Sequence, residues 1–337
     1  MKAAILEEIY SPLTVSSVEL TPLAFGQVLV QVLVSGLCGS QLQEINGNKG
    51  NQKFLPHLMG HEGAGIVIEI GPGVTNLKNG DKVVMHWRQG AGIESIFPSY
   101  IYRDRVISSG KITTFNEYSI VSENRLTRVP SNTPSDLAAL MGCSITTAFG
   151  IFDNEVDIKI GESVLIIGCG GVGLSLIQAA KLKGAGHIVV VDPNENKCAL
   201  AENIGCNVFA THISNLDGMF DIVVDTTGKK DVIGAAFGVM SKFGRMILVG
   251  QPLPGDSLLI PNSLNFFNGS GLSIKATQGG KTNPSQDIKR YLKLFESKQA
   301  SFDKLITHRF KLEEINDAIE VLKSGNAGRI MIDITVE

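Results

Sequence analysis

The chain has no Cys-x-x-Cys pair, and its five cysteines (Cys38, Cys143, Cys169, Cys198 and Cys206) are an odd number. That argues against a disulfide framework and for free thiols, some of them able to take a metal. No apolar run exceeds strand length; those at 163–167 and 188–191 are far too short to cross a bilayer. Nor is there a charged leader followed by an apolar stretch and a cleavage site. Met1-Lys2-Ala3-Ala4-Ile5 opens directly into strand-like sequence, so a cytoplasmic protein with no membrane partner is expected. Neither sign of charge dominates: the net charge is −3, and nothing points to nucleic acid or an anionic surface. Repeats and low-complexity tracts are absent. The 337 residues exceed one typical domain and fit two, and the 37 glycines suit a fold with many tight turns.

Two grammars share the chain. The first ~130 residues alternate apolar and polar positions between Gly, Pro and Asn punctuation, which signals short antiparallel strands, among them 28–34, 63–70 and 81–85. Cys38 follows the first of these and His61 precedes the second, so both sit at strand ends. Thr133-Pro134-Ser135-Asp136 predicts a helix start with Thr133 as N-cap, carrying the chain to Cys143. From residue 163 the pattern becomes strand, helix, strand, helix. Strands are expected at 163–167, 187–191, 221–225 and 245–249 with a helix over 173–183, a doubly wound α/β unit. Amphipathic helices at 285–295 and 313–323 and a strand at 329–334 follow. This tail lacks parallel-sheet grammar and is expected to return to the first domain. The domains are therefore read as 1–148 completed by 281–337, and 149–280.

Gly168-Cys169-Gly170-Gly171-Val172-Gly173 follows an apolar strand and opens a helix, and Asp192 ends the next strand about 20 residues on. A lone glycine motif is weak evidence; in this context it reads as a dinucleotide phosphate loop. Gly168 permits the turn, Gly170 admits the pyrophosphate, Gly171 opens the helix whose amides hold phosphate, and Gly173 allows helix–strand packing. Asp192 would accept the ribose diol and repel a 2′-phosphate. No Arg stands directly after it, which favours NAD over NADP. A nucleotide-binding relic, or another adenine ligand, is the alternative.

Two thiolates and an imidazole are what a catalytic zinc takes when its fourth position stays open. Taken singly, a His before Glu at a turn is more often structural than metallic, and Cys143 after a helix fits simple core packing. The joint pattern resembles the zinc-containing alcohol dehydrogenases of the medium-chain dehydrogenase/reductase superfamily. The resemblance covers nearly the whole chain: Gly36-Leu37-Cys38-Gly39-Ser40, 56–65 with its Gly60-His61-Glu62-Gly63 core, 71–74, Gly80-Asp81-Lys82-Val83, the phosphate loop and 305–308. It implies a GroES-like, mainly antiparallel β catalytic domain beside a Rossmann domain. It also implies one catalytic zinc per chain on Cys38, His61 and Cys143, and a homodimer or homotetramer built through the nucleotide sheet. By the same resemblance Glu62 is the acid beside the metal and Ser40 the hydroxyl that accepts the alcohol proton. Thr147 and Val172 pack on the nicotinamide, Lys197 lies near the adenosine ribose, and Arg329 near the pyrophosphate.

Three departures stand out. Residues 87–111 hold no cysteine, so a structural zinc lobe is not expected. Gln41 and Gln43 occupy positions where many relatives carry an Asp that orients the zinc histidine and a proton-relay His. The segment 205–221 is too short for a full crossover helix. The small-molecule substrate is expected to be a polar alcohol (a polyol, amino alcohol or sugar derivative), because Trp87, Arg88, Arg103, Arg105 and two tyrosines follow the strand at 81–85; an ordinary solvated loop explains that segment equally well. Hydride exchange between NAD(H) and an alcohol/carbonyl pair is the expected reaction. A zinc-free quinone or enone reductase, or a non-catalytic protein reusing the fold, are the rivals.

Overall fold

A computed structural model describes residues 1–50, 52–266 and 271–335 and divides the chain into two compact units. Unit 1 comprises Met1–Thr146, Asn283–Ser297 and Ile306–Glu337; unit 2 comprises Thr147–Thr282 and Lys298–Leu305. The tail thus returns to unit 1 except for Lys298–Leu305. Gln178 binds that stretch into unit 2, its amide donating to the Ser301 carbonyl at 2.8 Å and its oxygen accepting the Ser301 N–H at 2.7 Å.

Unit 1 is built around the long strand Gln27–Leu37, which pairs antiparallel with Glu62–Ile70, Tyr118–Ser122 and Arg329–Asp333. Valines fill one of its faces, while Leu29 and Leu33 alternate with Gln27, Gln31 and Ser35 on the other. Val28, Val30 and Val32 enter the main core with Met59, Met85 and Phe115, while Leu29 packs on a second cluster around Ile5, Tyr100 and Ile107. That second cluster lies in a six-stranded sheet that includes Lys2–Leu6, Ser99–Tyr102 and Arg105–Ser108.

The helix before Cys143 starts one residue later than the sequence predicts. Pro134, not Thr133, holds the cap position of Ser135–Leu140. Its extended ψ of 133° leaves its carbonyl as the first helical acceptor, taken by the Ala138 N–H at 3.0 Å.

Unit 2 carries a six-stranded parallel sheet in the order Val208–Ala210, His187–Val191, Ser163–Ile167, Phe220–Asp225, Met240–Leu248, Ser273–Ala276. Its central strands are continuous apolar runs because helices cover both faces; Val164, Leu165 and Ile166 are fully buried. Between Val208–Ala210 and Phe220–Asp225 only the single 3₁₀ turn Ile213–Asn215 forms, as the short segment implied. Among the described residues no helix is long and apolar enough to cross a membrane.

Candidate metal and nucleotide sites

Two strands and a turn between helices deliver the metal-type donors. Cys38 caps the helix Gly39–Ile45 where Gln27–Leu37 ends, His61 stands directly before Glu62–Ile70, and Cys143 lies in the turn between Ser135–Leu140 and Ser144–Gly150. Their ligand atoms all lie within 4.8 Å of one another, the one such group found among the described residues. Two glycines make the approach possible. A Cβ on Gly142 would lie 2.3 Å from the Met85 carbonyl oxygen and 2.9 Å from Glu62 Cα. One on Gly36 would lie 2.6 Å from Glu62 Oε1.

The chemistry of the donor set suits a soft divalent ion. The Cys38 thiol is held well below its ordinary range, first by the hydrogen bond from Cys143 and further by His61 and Arg329, against the cost of burial. Cys143 is pushed well above its own, first by the same contact with Cys38 and then by burial. Two sulfurs therefore share a proton in a place where a cation could replace it. All five cysteines are free. Burial pushes Cys169 up to about 12 and Cys206 up to about 11, as fits packing residues rather than ligands.

Behind the donors lies a buried ion pair. The Arg329 guanidinium contacts Glu62 Oε1, whose other oxygen accepts the Ser144 N–H at 3.3 Å. Arg329 is 3% exposed, hydrogen-bonds Cys38 as well, and leaves its buried Nε without a partner. It is a counter-charge to the donor cluster, a contact that leaves open the place near the pyrophosphate that the resemblance implies. Beneath Glu62, the Ser35 hydroxyl donates to its backbone carbonyl at 2.9 Å and meets Thr114 Oγ1 at 2.7 Å.

Side chains around the donors carry more than the sequence disclosed. Gln41 Nε2 lies 2.5 Å from His61 Nδ1 while its Oε1 accepts the Cys38 N–H at 3.0 Å, so one amide braces two donors. It stands where relatives use a carboxylate, and leaves Nε2 as the ring nitrogen not engaged by it. Trp87, expected to line the substrate cleft, packs on the main core and gives its indole N–H to Cys143; Arg88 lies over its ring, 5.2 Å from the centroid. Lys49 reaches back to Ser40 Oγ and to Glu44 at 3.1 Å. Nothing in a Gly-Asn-Lys-Gly turn marks that lysine beforehand.

Beyond Arg88 the two tyrosines lie in a sheet core and not in a cleft or a solvated loop. Ser99–Tyr102 and Arg105–Ser108 form a hairpin within the six-stranded sheet, and Tyr100 and Tyr102 are buried in its core. Alternation in Ser-Tyr-Ile-Tyr is the strand signal that gives this away. Tyr100 Oη accepts the Ile120 N–H at 2.8 Å, which fixes the ring inside.

The glycine loop of unit 2 separates the roles of its glycines. Gly168 has φ +93°, the turn that only glycine adopts easily. A Cβ on Gly173 would sit 1.9 Å from the Gly168 carbonyl oxygen, so close helix packing needs glycine there, whereas Gly170 has nothing within 4 Å and opens a cradle. Gly171 and Val172 begin the helix Gly171–Leu182 with Gly170 as its cap. Parallel register pairs Ile167 with Val191, which brings Gly168 beside Asp192. The Asp192 carboxylate then accepts the Cys169 N–H at 2.7 Å and pairs with Lys197 at 3.2 Å, both side chains buried. Thr147 is buried in the helix Ser144–Gly150.

Comparison with known proteins finds similarity to alcohol dehydrogenases. The alcohol dehydrogenase GroES-like domain family matches residues 24–131 and the zinc-binding dehydrogenase family residues 171–297. Alcohol dehydrogenase 6 of Peromyscus maniculatus is 29% identical across a 368-residue alignment that covers 98% of this chain and 97% of its own. S-(hydroxymethyl)glutathione dehydrogenase of Aspergillus oryzae is 29% identical, with 99% and 96% covered. Among solved structures, an alcohol dehydrogenase zinc-binding domain protein from Burkholderia ambifaria has the same fold, with a TM-score of 0.89 at 24% identity over 99% of each chain.

Proposed function

This chain belongs to the alcohol dehydrogenase family of the medium-chain dehydrogenase/reductase superfamily, and we propose that it works with one zinc ion and NAD. The reaction is hydride exchange between an alcohol and its carbonyl partner. The observation that carries this reading is the convergence of Cys38, His61 and Cys143 within 4.8 Å. When bound, zinc supplies a Lewis acid that can bring the pKa of a bound oxygen acid down to about 7, and NAD supplies the hydride acceptor.

The chain's own residues do the rest. Cys38, His61 and Cys143 hold the metal, with Gln41 orienting the imidazole and Trp87 steadying the Cys143 sulfur. Ser40, two residues after Cys38, moves the proton at the substrate oxygen. Glu62, paired with Arg329, stands ready to assist ligand exchange. Gly170, Gly171 and Val172 present helix N-terminal amides to the pyrophosphate. Asp192 and Lys197 meet the adenosine ribose, and Thr147 packs on the nicotinamide. Because Arg88 lies over the Trp87 ring and Trp87 bonds Cys143, a polar alcohol is the proposed substrate class.

A homodimer is the proposed assembly. Unit 2 leaves Ser273–Ala276 paired on one side among the described residues and exposes Leu253, Leu259 and Leu264. Sedimentation of a monomer at micromolar concentration would remove that part.

Dialysis against a strong chelator tests the function. Metal analysis should find one zinc per chain before and none after. NADH formation over a panel of polyols, amino alcohols and sugar alcohols should vanish with the metal, while NAD binding followed by fluorescence persists. Turnover surviving in metal-free protein would overturn the zinc role and favour the zinc-free reductase.

A further inference from the structure

Gln43, which stands where relatives carry a relay histidine, is occupied with architecture. Its Oε1 accepts Asn48 Nδ2 at 2.7 Å, and its backbone carbonyl accepts the Asn48 N–H at 2.9 Å. Gly47 and Gly50, at φ +67° and +66°, turn the chain back over the helix Gly39–Ile45. Lys49 between them returns nine residues to the Ser40 hydroxyl and is held from the other side by Glu44 at 3.1 Å. Its side chain keeps 29% exposure, enough to exchange protons with water.

We propose that Lys49 is the proton source behind Ser40, taking the place that a titratable group at Gln43 would otherwise fill. This rests on the alcohol dehydrogenase reading and names its missing proton path. In carbonyl reduction, hydride from NADH forms the new C–H bond and the substrate oxygen gains the electron pair of the broken C=O π bond. That oxygen takes the Ser40 proton. The Lys49 ammonium remakes the Ser40 O–H bond, and solvent reprotonates the amine. Alcohol oxidation runs the same path backwards and needs the neutral amine.

The test is chemical rescue. Acetaldehyde, benzaldehyde, glyceraldehyde and dihydroxyacetone serve as neutral carbonyl probes, with NADH oxidation as the signal. K49A should lose roughly 100-fold in kcat, as removal of a general acid does, at unchanged zinc content and NADH affinity. Methylammonium should restore turnover in proportion to its concentration; tetramethylammonium, which has charge but no proton, should not. K49R should stay impaired, because a guanidinium does not release its proton. Independently of turnover, the Lys49 ¹⁵Nζ resonance of metal-free protein, assigned by its loss in K49R, should move in S40A. Wild-type kcat in K49A, an effect confined to KM, rescue by tetramethylammonium, or no S40A shift would each overturn the proposal. A wild type that oxidises NADH with none of the four probes would instead count against the underlying enzymatic reading.

Discussion

Lowering the pH should unlatch the strand beside the metal donors, because that strand ends in a histidine that must stay neutral. His86 closes Lys82–His86, lies opposite Glu62 in register and is 1% exposed. Its Nδ1–H donates to the Arg88 carbonyl at 2.7 Å and its Nε2 accepts from the Thr127 hydroxyl at 2.9 Å, a set that uses one donor and one acceptor. Burial, with Arg125 adding to it, depresses its pKa from 6.5 to about 4. A folded-state value below the unfolded one gives stability that is complete above about 6.5 and lost as pH falls toward 4. At ~1.36 kcal/mol per unit the whole window is worth about 3 kcal/mol, a large share of a typical total of about 5–15. Trp87, the only tryptophan, is the next residue, so its fluorescence reports unfolding of unit 1. Urea unfolding of metal-free protein between pH 8 and 4.5 should show wild type losing stability more steeply than H86Q, by roughly 1.4 kcal/mol per pH unit below 6.5. Parallel slopes for the two proteins would refute the claim that a buried neutral His86 holds this strand.

The other predictions concern the donors themselves. Gly142→Ala places a methyl against the Met85 carbonyl and the Glu62 backbone, neither of which can step aside. It should cost about 1–3 kcal/mol and lower zinc occupancy below one per chain by metal analysis; full occupancy at wild-type stability would show that the turn is slack. Trp87→Phe keeps the ring and deletes the N–H that reaches Cys143, so zinc affinity measured against a chromophoric chelator should fall roughly tenfold with little change in unfolding. Equal affinities would leave Trp87 as packing alone.

What could be read beforehand follows from which forces act locally. The parallel sheet was legible because strands buried on both faces must be continuous apolar runs, and Ser163–Ile167 and His187–Val191 fall where the pattern put them. The glycine loop was legible because Gly168 turns through a positive φ and Gly173 leaves no room for a Cβ. Cys38, His61 and Cys143 were legible only jointly, since their convergence depends on strand pairings that no local signal states. Missed entirely were the partners reached across the fold. Arg329 on Glu62, Trp87 on Cys143 and Lys49 on Ser40 are set by register and by a turn, and each side chain alone has an unremarkable sequence context. In Ser99–Tyr102 the residue kinds suit a cleft or a solvated loop equally, and only their alternation marks a half-buried strand.

The same register explains why the site needs the last strand of the chain. Arg329–Asp333 pairs with Gln27–Leu37 so that Ile330 faces Leu37, which sets Arg329 beside Cys38. Glu62 is fully buried next to two sulfurs that a divalent ion would turn into thiolates. With zinc in place the formal charges are two thiolates against the ion and one carboxylate against one guanidinium, a neutral set. Remove Arg329 and a carboxylate is left uncompensated beside two anionic sulfurs, a cost of about 3–5 kcal/mol for a buried pair that loses one partner. The donors come from the first 143 residues, yet their electrostatic balance comes from position 329, so a chain lacking its final strand would hold the right ligands in the wrong field.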